Sequence, residues 1–175
     1  MNMKNIIKTA IVAASLLTMG TTEAAPGMDP DNPTCPLTPN WSTNTTMELT
    51  PKVIDGTKVL FAEGAVDAGL PDRLRKMLAD NPDIAEIWLR SPGGVARAGN
   101  EAGRVIREAD ALIITRIPQG WTCFSACNFV FMGGRARIVE PGAHFMVHMF
   151  TMTNDRNAIN YSIEMGTDST VGLIG

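Results

Sequence analysis

Histidine is scarce in this 175-residue chain, with two copies, and lysine does not recur after Lys76. A nucleophile in the carboxyl-terminal half therefore has no following lysine to take its proton, and the choice of base narrows to His144 or His148. Cysteine is limited to Cys35, Cys123 and Cys127. No Cys-x-x-Cys pair and no histidine at ligand spacing accompanies them, which argues against a metal site. Long apolar runs are missing too. The stretch from Ala10 to about Met19 falls well short of the roughly 20 residues of a membrane-spanning helix, and no later segment reaches that length. Excess positive charge is absent as well: the formal net charge is −3, which speaks against nucleic acid or an anionic membrane surface as partner.

The amino terminus has the features of an export signal. Lys4 and Lys8 precede the short apolar run, and Thr22 and Ala24 supply small residues at the −3 and −1 positions of a cleavage site. The expectation is a signal peptide over residues 1–24, cut after Ala24, and a periplasmic or secreted product with no membrane attachment after cleavage. Removing Lys4, Lys8 and Glu23 takes the net charge from −3 to −4. The remaining chain is long enough for one ordinary core. In an exported protein three cysteines permit one disulfide and leave one thiol. Cys123 and Cys127 flank Ser125 symmetrically, and either they staple a turn to a helix or they pack as small buried apolar residues.

Residues 25–51, rich in Pro, Asn, Thr and Asp, read as an extended lead-in, and residues 52–175 as a single α/β domain. Strand patterns cover 58–66, 84–91, 111–118, 135–140 and 144–150. Helical spacing runs through LPDRLRKMLAD up to Asn81-Pro82, and through 95–110 with Ala98, Ala102, Val105 and Ile106 on one side. A loop at 119–122 then leads into CFSACNFVFMGG, expected to be a short buried helix ending at Gly-Gly. Alternating strands and helices predict a largely parallel sheet with right-handed crossovers, and sites in such sheets form at the carboxyl ends of the strands.

Two segments fall there. Ser91-Pro92-Gly93-Gly94 follows one strand, and its glycines can turn backbone N–H groups outward, as oxyanion binding requires, or can make a plain tight turn. Ser125 falls near the start of the apolar helix, as a nucleophile or as a cap. Strand alternation puts His144 and His148 on the same face. Arg135 and Arg137 are expected to cap the preceding helix and to pair with Glu140, the alternative being contact with a substrate carboxylate, and the methionines Met132, Met146, Met149, Met152 and Met165 to serve packing.

The order strand-GxV-D, helix, strand-SPGG, helix, strand, G-x-x-x-x-S, apolar helix, G-x-x-R, Pro, strand-His resembles the proteolytic subunit of the Clp protease and its relatives in the Clp-crotonase superfamily. It is still more similar to an exported branch of that superfamily in which the serine lies within a Cys-x-Ser-Ala-Cys segment. Gly94 precedes Ser125 by 31 positions and His148 follows it by 23, and the match covers about residues 58–150. The resemblance implies an α/β fold of repeated β-β-α units around a mostly parallel sheet. It implies Ser125 as nucleophile, His148 as general base, and Gly93 or Gly94 with the N–H of Ala126 as oxyanion hole. It further implies a peptide or protein substrate, no cofactor, and self-association, since the family works as rings. His144 falls off the matched position, as a structural or supporting residue.

There are departures. Phe124-Ser125-Ala126-Cys127 stands where the family has Ala-Ser-Met-Gly, and Met149-Phe150 where it has Gln-Pro. The family's orienting aspartate lies much further beyond the histidine than the 27 positions from His148 to Gly175. Asp155 and Asp168 are the carboxylates left to orient His148, and the expectation is a domain shortened at its carboxyl end, with weakened or lost peptidase activity. Two other readings stay open: a non-catalytic module that holds a peptide or protein in the same cleft, and a crotonase-type enzyme acting on acyl-coenzyme A.

Overall fold

The structure is a computed structural model that describes residues 26–29 and 35–148; the segment expected to be an export signal, and Asp155 and Asp168, lie outside the described residues. Its chain order is β1 (Glu48–Ile54), β2 (Thr57–Glu63), α1 (Leu70–Asp80), β3 (Glu86–Arg90), α2 (Ala96–Glu108), β4 (Ile114–Ile117), β5 (Thr122–Phe124), α3 (Cys127–Met132), β6 (Ala136–Val139) and β7 (His144–Met146). Five strands form one sheet in the order β1-β2-β3-β4-β6, and β5 and β7 pair in a second, smaller one. Within these sheets β1 runs antiparallel to its neighbour, while β2-β3, β3-β4, β4-β6 and β5-β7 are parallel.

Alternation in the strands decides which face is covered. Leu60 and Ala62, Ile87 and Leu89, and Thr115 and Ile117 point inward and join Leu70 and Leu74 of α1, Ala102 and Ile106 of α2, and Val130 and Phe131 of α3 in one core. Thr115, the polar member, donates its hydroxyl to the carbonyl of Phe131 at 2.6 Å and so enters without an orphaned donor. On the other face Phe61, Trp88 and Trp121 stack and cross at centroid distances of 5.3–6.4 Å. There the Arg116 guanidinium bonds to Glu86 at 2.7 Å and to Glu140 at 2.9 Å, and the Glu86 carboxyl is held below its usual range chiefly by that arginine.

The helices begin and end where local chemistry directs. Pro71 occupies the first turn of α1, where its missing N–H costs nothing, and Asn81 stops the helix by returning its Nδ2–H to the carbonyl of Met77 at 2.9 Å. In α2 the buried stripe is unusually slim, because Gly99 and Gly103 stand beside Ala98 and Ala102. A Cβ at Gly99 would sit 2.4 Å from the carbonyl oxygen of Ala126, and one at Gly103 2.3 Å from that of Phe129. α3 therefore rests backbone-to-backbone on α2.

Several elements differ from the sequence reading. Residues 48–51, assigned to the lead-in, belong to β1, which pairs with β2 through the two-residue turn Asp55-Gly56, both at positive φ. The 58–66 strand stops at Glu63, the 144–150 strand at Met146, and the helix expected from Cys123 is confined to Cys127–Met132, with Cys123 and Phe124 in β5. Arg137 does reach the helix end, donating to the carbonyls of Met132 and Gly134, but the partner of Glu140 is Arg116.

Asp67 ties the lead-in to α1. Its carboxylate accepts from the N–H groups of Met47 and Gly69 and from Arg73, whose guanidinium lowers the pKa to about 2. Because the folded value lies below the unfolded one, the stabilisation is complete above about pH 4. It is lost as the pH falls through about 2. Acid unfolding curves should show this loss between about pH 4 and pH 2, and Asp67→Asn should flatten that part of the curve. Separately, Gly103→Ala is expected to cost about 1–3 kcal/mol in denaturant unfolding by forcing α3 off α2.

Candidate functional site

β4 runs out at Ile117 and the chain turns at Gly120 (φ 75°) before entering β5. β5 then slots between two neighbours. On one side Ser91, just past β3, accepts from Phe124 N–H at 3.0 Å and donates its own N–H to Thr122 at 2.9 Å. On the other side Thr122, Cys123 and Phe124 pair in parallel register with His144, Phe145 and Met146 of β7. The glycine turn, the serine segment and the histidine strand thus become neighbours at the carboxyl end of the sheet.

Ser125 is the corner between β5 and α3, and its φ of 56° is one of two positive values at non-glycine residues among those described. That conformation costs an L-residue on the order of 1–3 kcal/mol and persists only where the surroundings enforce it. Four contacts do so. The N–H of Ser125 donates to the carbonyl of Met146 at 3.1 Å, and its carbonyl accepts from Asn128 N–H at 2.9 Å. Asn128 Nδ2 donates to the same Met146 carbonyl at 2.8 Å. A disulfide joins Cys123 to Cys127 across the corner, with Cα atoms 5.4 Å apart, so that the staple is the arrangement present. Cys35 is the free thiol.

Two residues after Met146, His148 presents Nε2 to Ser125 Oγ at 2.7 Å. The imidazole also lies against the ring of Phe124, at a centroid distance of 4.9 Å. His144 does not share this role. It sits on β7, half-buried, with Nδ1 enclosed and without a hydrogen-bond partner among the described residues.

Gly93 packs directly under the corner: a Cβ there would lie 2.6 Å from both the carbonyl oxygen of Phe124 and Cβ of Ser125, and 3.0 Å from the N–H nitrogen of Ala126. Its φ is 90° and that of Gly94 is 145°. The N–H of Gly93 is engaged by Ser91 Oγ at 3.1 Å, and its carbonyl holds Val66 N–H at 2.8 Å. So of the three backbone groups expected for an oxyanion, Gly93 is bound within its own turn. Gly94 and Ala126 make no backbone hydrogen bond of their N–H groups among the described residues.

The order of strands and helices that carries these residues is that of one known architecture. The chain has a Clp-protease-like fold. It superposes on the solved structure of a ClpP1 mutant from Listeria monocytogenes with a TM-score of 0.52 and 18% sequence identity, over 61% of this chain and 64% of that chain. The match thus spans less than two thirds of that neighbour's length, and at this identity it speaks for the fold alone. No protein-family model matches the sequence, and no curated protein does.

The Clp-protease-like frame also contains contributors that the sequence reading passes over. Asn128, the polar residue of α3, and the main-chain carbonyl of Met146 clamp the corner. Asn40 bonds to the carbonyl of Gly120 at 2.9 Å, Thr122 N–H bonds to Asn40 at 3.0 Å, and Trp41 stacks on Phe124 at 5.6 Å, so part of the lead-in lines the site. A lone asparagine in an apolar helix is the visible signal for Asn128; nothing local marks Asn40 or Trp41. Among the described residues no three His, Cys, Asp or Glu side chains gather as a metal-binding group.

Gly93→Ala puts a methyl group into the corner. The expected outcome is a loss of about 1–3 kcal/mol in thermal or denaturant unfolding. The neighbouring Pro92→Ala, measured in parallel, should change it far less.

Proposed function

We propose that this protein is an exported serine hydrolase of the Clp-peptidase type, with peptides or unfolded protein as substrate. One observation carries the reading: Nε2 of His148 lies 2.7 Å from Oγ of a serine held at positive φ on a strand-to-helix corner. A serine hydroxyl becomes a useful nucleophile when a base within hydrogen-bond reach accepts its proton, and a corner conformation exposes the hydroxyl while aiming following N–H groups at the same point.

In this reading Ser125 Oγ attacks the substrate carbonyl as its proton passes to His148 Nε2. The N–H of Ala126, with that of Gly94, holds the oxygen that becomes negative, since the Gly93 N–H is already taken by Ser91 Oγ. The protonated imidazole then returns the proton to the leaving amine, and water repeats the sequence to release the acyl group. Asp155 and Asp168 remain candidates for orienting His148. The reading needs no cofactor. The repeated β-β-α pattern, self-association and the periplasmic or secreted location belong to the same proposal, and the Cys123–Cys127 disulfide supports an oxidising compartment.

Intact-mass analysis after exposure to a fluorophosphonate tests it. A single adduct should form on the parent protein and be lost in Ser125→Ala, and His148→Ala should slow its formation about 10²-fold or more. A folded protein that takes no adduct would turn attention to the peptide-binding module, in which Ser125 is dispensable.

A further inference from the structure

The histidine that faces Ser125 is held from behind by an aromatic stack that begins in the lead-in. Trp41 and Phe124 lie nearly parallel, at 5.6 Å and 14°, and Phe124 in turn meets the His148 ring at 4.9 Å and 39°. Both distances fall within the roughly 4.5–7 Å range in which aromatic rings attract one another beyond simple burial. Each end of the stack is fixed. Asn40, next to Trp41, is tied to Gly120 and Thr122, and Ser42 on the other side is buried. Phe124 is locked by its N–H bond to Ser91 and by its register opposite Met146.

His148 lies beyond the end of the small sheet. β7 ends at Met146, Val147 is 72% exposed, and the backbone has left the small sheet before the histidine is reached. Ladder hydrogen bonds therefore do not set the imidazole plane. The ring of Phe124 abuts it directly, and Phe124 is the residue immediately before Ser125, so one short segment supplies both the hydroxyl and the surface on which its base rests.

We infer that Phe124, backed by Trp41, is a positioning residue for His148: the stack holds the imidazole where Nε2 meets Ser125 Oγ. The inference rests on the hydrolase reading for its consequence, though not for its geometry. When the imidazole takes a proton, the face of the Phe124 ring also favours the resulting cation. Phenylalanine before the nucleophile and tryptophan in the lead-in act together, and loss of either loosens the base.

The test uses the two histidines of the chain, which give a two-residue ring spectrum when labelled with ¹³C-histidine. In the purified protein, Phe124→Leu should move the ring-proton resonances of His148 by removal of the neighbouring ring current and leave those of His144 nearly in place. Trp41→Leu should move them less. Fluorophosphonate labelling of Ser125 should slow about tenfold in Phe124→Leu and less in Trp41→Leu, and Phe124→Tyr, which keeps the ring, should restore most of the rate. Unmoved His148 resonances in a folded Phe124→Leu protein would overturn the inference, as would a parental labelling rate in that variant. If Phe124→Leu does not fold, Trp41→Leu and Phe124→Tyr decide on the same two readouts. Should the parent itself take no adduct, the hydrolase reading fails, and the resonance shifts alone then uphold or overturn the stack.

Discussion

Everything near the site depends on one backbone corner. Ser125 sits at positive φ between β5 and α3, a conformation costly for a serine, and the surrounding chain is arranged to make it the least costly option. Gly93 vacates the space a side chain would fill, Gly99 and Gly103 let α3 approach α2 closely enough to bring Ala126 into line, and Met146 accepts the N–H that the corner turns outward. The Cys123–Cys127 disulfide closes the corner covalently over four positions. Such a short loop restricts the unfolded chain only modestly, by about 2 kcal/mol in the chain-entropy account. Its greater effect is local, because it fixes the two residues that bracket the serine.

The same corner explains why distant segments meet. β5 is only three residues long and could not stand alone as a strand. It persists because Ser91 and β7 bracket it, and that pairing carries the glycine turn to one side of Ser125 and the histidine to the other. The parallel sheet beneath serves to bring these strand ends to one edge, where sites in open α/β sheets ordinarily form.

Much of this is legible in the sequence, and the reasons for the rest are physical. Long amphipathic segments such as 70–80 and 96–108 carry enough periodic positions to identify themselves, and α1 and α2 lie where the spacing puts them. β1 escapes a pattern reading because its composition, with Pro51 and charged residues on an exposed edge, lacks a buried stripe; the Asp55-Gly56 pair is the available hairpin signal. The CFSACNFVFMGG segment reads as one helix because its apolar run is continuous. Periodicity cannot distinguish a three-residue buried strand followed by a helix from a helix throughout. The residues alone leave His144 and His148 open as base, and the resemblance to the Clp proteolytic subunit is what puts Ser125 and His148 forward as partners; which of the glycine N–H groups is already engaged depends on the hydroxyl of Ser91, a contact that no motif displays.

The central claim is tested most directly by a crystal structure of the protein after reaction with a fluorophosphonate. It should show phosphorus on Ser125 Oγ, the phosphoryl oxygen within hydrogen-bond distance of Ala126 N–H, and the His148 imidazole still against Phe124 with Nε2 facing the adduct. A serine at ordinary negative φ, or a His148 ring turned away from both Ser125 and Phe124, would contradict it.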